Sequence, residues 1–590
     1  MKLPFEILPH LTRFSEFYPA NYSGAPKSLF DAPTAPDLSN FTYPLPAKKS
    51  DFSSSAVTAD GALWFGSCRG IARFDKDAEY DDVMMYFSAE RDLPDNNVRN
   101  IVSDDNDIWA LTDSGITKIC LRVIDAKEKA DILLKETLDI VMRRGMVSQR
   151  DLKIPGDLSS RFHYANSDND GGFTACFAIG EAFRYAVLKR EKGTEDPETV
   201  ECKKILTQSV EACLLMAYIH GRDDGFVARS YVCQDEVVPD DGFFYKICGD
   251  KAVCLETSAS KQCGMAGFET YAGGEVPVRL RHLYEDQGYK RDGIVYKADT
   301  SSDEITFHML IMWLAHEFLG PDDPELDELI KKTCAKIMNH IIDHGFELHD
   351  CTGKATTWAK WSESYFDTPD GWVDACLNSA ELLMYLRVAM EITGEQGRWR
   401  ETYDMLVEKG YADLTEKHFD RMYQAALSMD VDYPGEIMYG DHMLCAASFY
   451  GLAILEKDEK LLAKYRNAYE SWRSSMGKEY NPVHDFVYSL LCPDAEIDME
   501  MIAKWFTRCN ISRLASRVSA VGRHDVPVKK LKGDYTETGC LLMPDERFIS
   551  KYDRNPLEYK DEDSGGKKCV ESCYPYTFGY WMGRYYGFIK

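Results

Sequence analysis

The residues best suited to chemistry in this chain crowd one short stretch, Asp299-Thr-Ser-Ser-Asp303-Glu304-Ile-Thr-Phe-His308, ahead of the apolar run Met309-Leu-Ile-Met-Trp-Leu-Ala315. Glu304 and His308, four apart, share one face of a helix, and Asp299 lies in the loop before it. Carboxylates and an imidazole at a helix mouth can hold a polar substrate and move protons. Ser301-x-x-Glu304 also fits a capping box, in which both side chains satisfy backbone N–H groups and no chemistry follows.

A second constellation runs from His163 through Tyr164, Asn166, Asp168, Asn169 and Asp170 to Gly171-Gly172. Its first half has the spacing of a calcium loop, but Phe177 stands where an EF-hand requires a bidentate Glu, so that reading fails. Two glycines would let a ligand approach the backbone between Asp168 and Asp170, and capping is the plain alternative. Arg229 offers a planar fork for a carboxylate or vicinal hydroxyls, with an ordinary salt bridge as its plain alternative. In Trp358-Ala-Lys-Trp361-Ser-Glu363-Ser-Tyr365, three aromatic rings surround a carboxylate. Such rings stack on sugar faces, although core burial accounts for them equally well. Weaker polar groups are Asn378 with Glu381, read as a helix start; Asp430, Asp432, Tyr433, Tyr439, Asp441 and His442; and His484-Asp485, Arg523-His524-Asp525 and Asp545-Glu546-Arg547.

The elements that must position these groups follow from periodicity. Apolar positions at three and four spacing predict helices over 128–145, 172–190, 198–220, 303–319, 324–343, 375–393, 398–410, 440–456, 459–475 and 483–491, with further segments near 497–508 and 575–587. Long loops at 221–300, 345–374, 427–440 and 520–574 separate them. Residues 1–50 read as an extended surface arm. In 51–122 a β repeat appears: Asp60-Gly-Ala-Leu-Trp64-Phe-Gly66 with Gly70-Ile71 is echoed by Asn106-Asp-Ile-Trp109 with Gly115-Ile116.

Composition removes several classes. At 590 residues, 45% hydrophobic and with a net charge of −28, the chain has a large core and no basic run for nucleic acid. No stretch reaches the ~20 apolar residues of a membrane helix and the N-terminus has no signal-like apolar core, so no membrane partner and a cytoplasmic location are expected. Eighteen cysteines without a C-x-x-C pair read as buried free thiols. No G-x-S-x-G, P-loop, H-E-x-x-H or strand-linked G-x-G-x-x-G motif occurs. No cofactor is expected, although Asp168, Asp170 and Asp299 could take a calcium ion as readily as a sugar hydroxyl.

With its Asn-Asp-Gly, Asp-Thr-Ser-Ser-Asp-Glu and Trp-x-x-Trp-Ser motifs, the body from 123 to 590 resembles the (α/α)6-toroid carbohydrate-active enzymes, which include glycoside hydrolases and polysaccharide lyases. The 51–122 repeats resemble blades of two-component-regulator propellers. The resemblance implies a mainly α fold, an (α/α)6 toroid with a small N-terminal β unit. It also implies a glycoside hydrolase acting on an oligosaccharide or small glycoside. Two carboxyl groups must then flank the scissile bond. Asp170 with Asp303 or Glu304 is the expected catalytic pair. Asp168, Arg229, Asp299, His308 and Glu363 would bind substrate, with Trp358, Trp361 and Tyr365 as a stacking wall. The alternatives are a lyase on uronic-acid saccharides, using His163 or His308 with Tyr164 or Tyr365, and a non-catalytic sugar-binding sensor.

Overall fold

The computed structural model describes residues 5–78, 83–89, 91–154, 157–164, 170–394, 397–417, 439–475, 479–511, 514–515, 523–530, 536–548, 555–559 and 569–590. Eight strands open the chain: β1 (His10–Tyr18), β2 (Phe52–Val57), β3 (Leu63–Ser67), β4 (Gly70–Phe74), β5 (Met84–Phe87), β6 (Val98–Asp104), β7 (Asp107–Thr112) and β8 (Ile116–Ile124). They form two four-stranded sheets, β2-β3-β4-β5 and β1-β8-β7-β6. The sequence repeat maps onto equivalent hairpins. Trp64 on β3 faces Arg73 on β4, and Trp109 on β7 faces Lys118 on β8. Each cation lies over the indole, at 5.9 and 5.6 Å. Within residues 1–50, His10–Tyr18 is a strand paired along its whole length with β8, from His10 opposite Ile124 to Tyr18 opposite Ile116. Ile71, Phe87, Ile101, Ile108 and Ile119 from both sheets share one buried core.

Among the described residues twelve longer helices follow: α1 (Ala126–Glu136), α2 (Asp170–Lys192), α3 (Pro197–Leu215), α4 (Ser302–Phe318), α5 (Pro324–Asp343), α6 (Pro369–Thr393), α7 (Arg398–Glu408), α8 (Tyr439–Leu455), α9 (Glu459–Ser475), α10 (Pro482–Leu491), α11 (Met499–Thr507) and α12 (Tyr574–Tyr585). Helices α2, α4, α6, α8, α10 and α12 close a cycle in which each packs on the next and α12 returns to α2. Their composition explains that position. α4 buries every residue from Glu304 to Ala315, whereas α5, lying outside it, buries a stripe through Leu326, Ile330, Cys334, Ile337 and Ile341.

The expectation of a mainly α fold is overturned. The chain is 44% helical and 19% strand, with several antiparallel sheets beyond the N-terminal ones. The difference lies largely in 221–300, expected as a loop. There β11 (Ser230–Val232), β12 (Phe244–Cys248), β13 (Lys251–Cys254), β14 (Glu269–Tyr271) and β15 (Val295–Lys297) join in the order β11-β15-β12-β13-β14, after β9 (Gln149–Leu152) and β10 (Arg161–Tyr164), which belong to another sheet. Strands of three to five residues are too short to show an alternating pattern, and their backbone pairing is long-range. A further hairpin joins β16 (Glu347–His349) to β17 (Ala355–Lys360).

All eighteen cysteines are free thiols, most of them buried. Among the described residues no helix is long and apolar enough to cross a membrane.

Candidate functional site

The N-terminal ends of the six cycle helices face the same end of the molecule. Phe173 near the start of α2 meets Tyr574 at the start of α12, ring centroids 5.2 Å apart. A Cβ built on Gly171 would stand 3.4 Å from Glu304 Cγ and 3.1 Å from His308 Cε1 of α4. Thr306 of α4 donates to Glu381 of α6 at 3.0 Å, and Met443 of α8, His484 of α10 and Phe578 of α12 line one small cavity. Parallel dipoles therefore direct their positive ends at this mouth.

At α4 the cap box forms. The Ser301 N–H and hydroxyl both donate to Glu304 Oε2, at 3.3 and 2.9 Å, and Arg229 Nε stands 3.4 Å from the same oxygen. Glu304 is wholly buried, and among the described residues its Oε1 has no hydrogen-bond partner. Burial pushes its carboxyl up to about 8 in spite of Arg229. His308 gives its Nδ1 proton to the Glu304 carbonyl at 2.6 Å, and burial lowers its pKa to about 4, so the ring is neutral. The neighbouring Asp303 is partly buried and competes with Glu304 for the single proton of the Ser301 hydroxyl.

The β11–β15 pair sets Arg229 beside this mouth, because the Arg229 N–H donates to the Lys297 carbonyl just before the chain turns through Asp299. Asp299 has φ +56° and spends its carboxylate on Thr357 of β17, through the backbone N–H at 2.8 Å and the hydroxyl at 2.9 Å. That clamp brings β17 and Trp361 against α4 and α6. Trp361 is fully buried and donates to Glu381 Oε2 at 2.9 Å. Tyr365 donates to Asp374 at 2.5 Å.

Asp170 begins α2 and is buried, its Oδ2 taken by Arg143 and the Ser230 hydroxyl. Gly171 serves close approach of α2 to α4 where a ligand contact was expected, whereas a Cβ on Gly172 would meet only ordinary contacts, Glu304 Oε1 nearest at 3.7 Å. Trp358 is 52% exposed and stands apart from Trp361. Glu363 is exposed and paired with Lys409 at the end of α7. Asp168, Asn166 and Asn169 lie outside the described residues, as do Asp430, Asp432 and Tyr433 and the side chains of His163 and Tyr164. Among the described residues no cluster of His, Cys, Asp or Glu has the arrangement of a metal site.

Three further acids, Glu381, Asp374 and Asp441, stand near the helix mouths with raised carboxyls. Asn378 and Glu381 do not start a helix, since α6 begins at Pro369 with Thr368 as its cap. Glu381 therefore projects from the fourth turn into the mouth, fully buried, and burial raises its carboxyl to about 8. Asp374, one turn into α6, is raised by burial and by Asp370, against the bond from Tyr365. Asp441 at the start of α8 is partly buried, and burial together with Asp374, Asp303 and Glu381 holds its carboxyl well above the usual range. The signal for them was acids recurring at successive predicted helix starts.

No family model matches the chain, and no curated protein matches it.

Proposed function

We propose that this chain is a glycoside hydrolase working at the mouth of the helix cycle. Asp441 is its proton donor and Asp303 the second carboxyl of the pair. The observation that supports this is the Asp303–Asp374–Glu381–Asp441 group, in which burial and then repulsion from the other three acids hold the Asp441 carboxyl well above the usual range while it remains partly exposed. A protonated carboxyl can give its proton to the glycosidic oxygen as the C–O bond breaks, and a nearby carboxylate stabilises the positive charge developing on the sugar. Glu304 is too enclosed for that contact, and Asp170 is committed to Arg143. Both hold the mouth in shape. Trp358 offers an exposed ring for sugar stacking.

The test is release of reducing ends from a panel of oligosaccharides and aryl glycosides. Asp441→Asn and Asp303→Asn should each lower kcat by about 10²–10⁴-fold with the fold intact. Full turnover in both variants would discard the assignment. An ultraviolet-absorbing unsaturated product from a uronate polymer would establish a lyase in its place.

A further inference from the structure

A second opening lies in the N-terminal unit, lined wholly by residues between 29 and 111. Just past their last residues β2 and β6 are tied together, the Ala59 N–H donating to the Asp105 carbonyl at 3.0 Å and the Asp60 N–H to Asn106 Oδ1 at 2.9 Å. Gly66 of β3 keeps the two sheets close, since a Cβ there would stand 2.9 Å from Val98 Cγ1 of β6. Toward their starts, at Ser53 and Val98, the same two strands wall an open cleft of about 520 Å³. The segment before β2 is fixed to both: Asn100 Nδ2 of β6 donates to the Leu29 and Asp31 carbonyls at 3.1 and 3.2 Å, and Ser55 Oγ of β2 donates to the Thr34 carbonyl at 3.0 Å. Both sheets therefore hold the rim in place, and the volume falls within the about 300–1,000 Å³ of ordinary small-molecule pockets.

The lining combines apolar surface with unmatched acids. Leu29, Val98 and Leu111 supply aliphatic wall, and Phe30 is 52% exposed. The guanidinium in the lining, Arg99, is paired with Asp113, which also takes the Asn97 amide at 2.6 Å. Lys49, two residues before Asp51, turns its ammonium to the Phe41 and Ser39 carbonyls at 2.7 and 3.4 Å. Asp31 and Asp51 remain. Both line the cleft, and among the described residues neither meets a cation; Asp51 accepts a bond from the neighbouring Ser50 hydroxyl at 3.3 Å. What such a lining lacks is a positive charge. An ammonium ion on an apolar body would set its charge against the two carboxyl groups and the face of Phe30, and its body against the aliphatic wall. A carboxylate on the same body would find Arg99 already taken.

We propose that this cleft is a binding site for a small organic ammonium ion carrying an apolar group, with Asp31 and Asp51 as its counter-charges. The site is independent of the helix mouths and of the activity proposed there. The Cys68 thiol, exposed in the lining, reports occupancy. 2-Phenylethylamine, 2-phenylethanol and phenylacetate share one aromatic body and differ in charge. Each is tested for slowing the alkylation of Cys68 by iodoacetamide in the full chain, read by peptide mass, with the exposed Cys248 and Cys263 as internal controls. The amine should protect Cys68 and leave both controls unchanged, and the alcohol and the acid should protect about tenfold less. Asp31→Asn and Asp51→Asn should each weaken protection by the amine about fivefold without changing Tm. Equal protection by all three compounds overturns the ligand class. Protection by the amine that persists in the Asp31→Asn/Asp51→Asn chain overturns the role of the two carboxyl groups, and a Cys68 rate indifferent to all three compounds overturns the site.

Discussion

Trp361 and Thr306 hold Glu381 between them, the indole N–H donating to one carboxyl oxygen at 2.9 Å and the hydroxyl to the other at 3.0 Å. The pair ties the β17 loop and α4 to the fourth turn of α6 through one buried acid. Two donors lower its pKa, yet desolvation outweighs them and raises it to about 8.

That balance predicts an alkaline loss of stability. Below pH 4.5 the carboxyl is protonated in both states. Between 4.5 and about 8 only the folded state keeps the proton, so the contribution of Glu381 falls as pH rises through this window and is gone above it. The effect is on the order of 2–4 kcal/mol for so complete a burial. Denaturant unfolding at several pH values between 5 and 9 should show a decline for wild type that is shallower in Glu381→Gln and shallowest in Glu304→Gln/Glu381→Gln. Parallel curves for the three proteins would refute the assigned ionisation.

Much of this arrangement was legible in the sequence because helix burial is a local signal. The predicted segment 324–343 coincides with α5, 459–475 with α9, and 303–319 is within one residue of α4 at each end. Ser301 and Glu304 could be read as a cap box for the same reason, since the two partners lie three residues apart. The clamp of Asp299 on Thr357 spans fifty-eight residues and leaves no local trace. Glu381 was misread because Pro369 and Thr368, which start α6, precede the apolar periodicity that suggested a start near 375. The strands β11 to β15 went unseen because each is too brief to alternate visibly.

Gly171 offers a test of helix contact that does not depend on any substrate. Its missing side chain admits the Arg229 carbonyl, which would stand 3.2 Å from a Cβ, and His308 Cε1 at 3.1 Å. Both neighbours are held, the carbonyl by backbone and the imidazole by its bond to the Glu304 carbonyl. Gly171→Ala should therefore cost about 1–3 kcal/mol, against the gain that alanine ordinarily brings to a helix. A Tm equal to or above that of wild type would show that α2 and α4 can separate without penalty.

The junction between the N-terminal sheets and the helices depends on a buried carboxylate, Asp545. Arg13 of β1 reaches it at 2.7 Å and Arg508, just past α11, at 2.8 Å, while Arg13 also reaches Asp92 at 3.3 Å. Burial opposes the charge of Asp545, but Arg508 and Arg13 together hold its carboxyl below the usual range. This contribution is present above the unfolded pKa near 3.8 and is lost as pH falls below it through the folded value. Asp545→Ala leaves two buried guanidinium groups short of charge and should cost about 3–5 kcal/mol, with acid sensitivity reduced. Arg13→Ala should be nearly as harmful in the wild type but much milder in an Asp545→Ala background, because the two residues share one interaction. Additive losses in that double-mutant cycle would show that Arg13 and Asp545 do not stabilise the junction through each other.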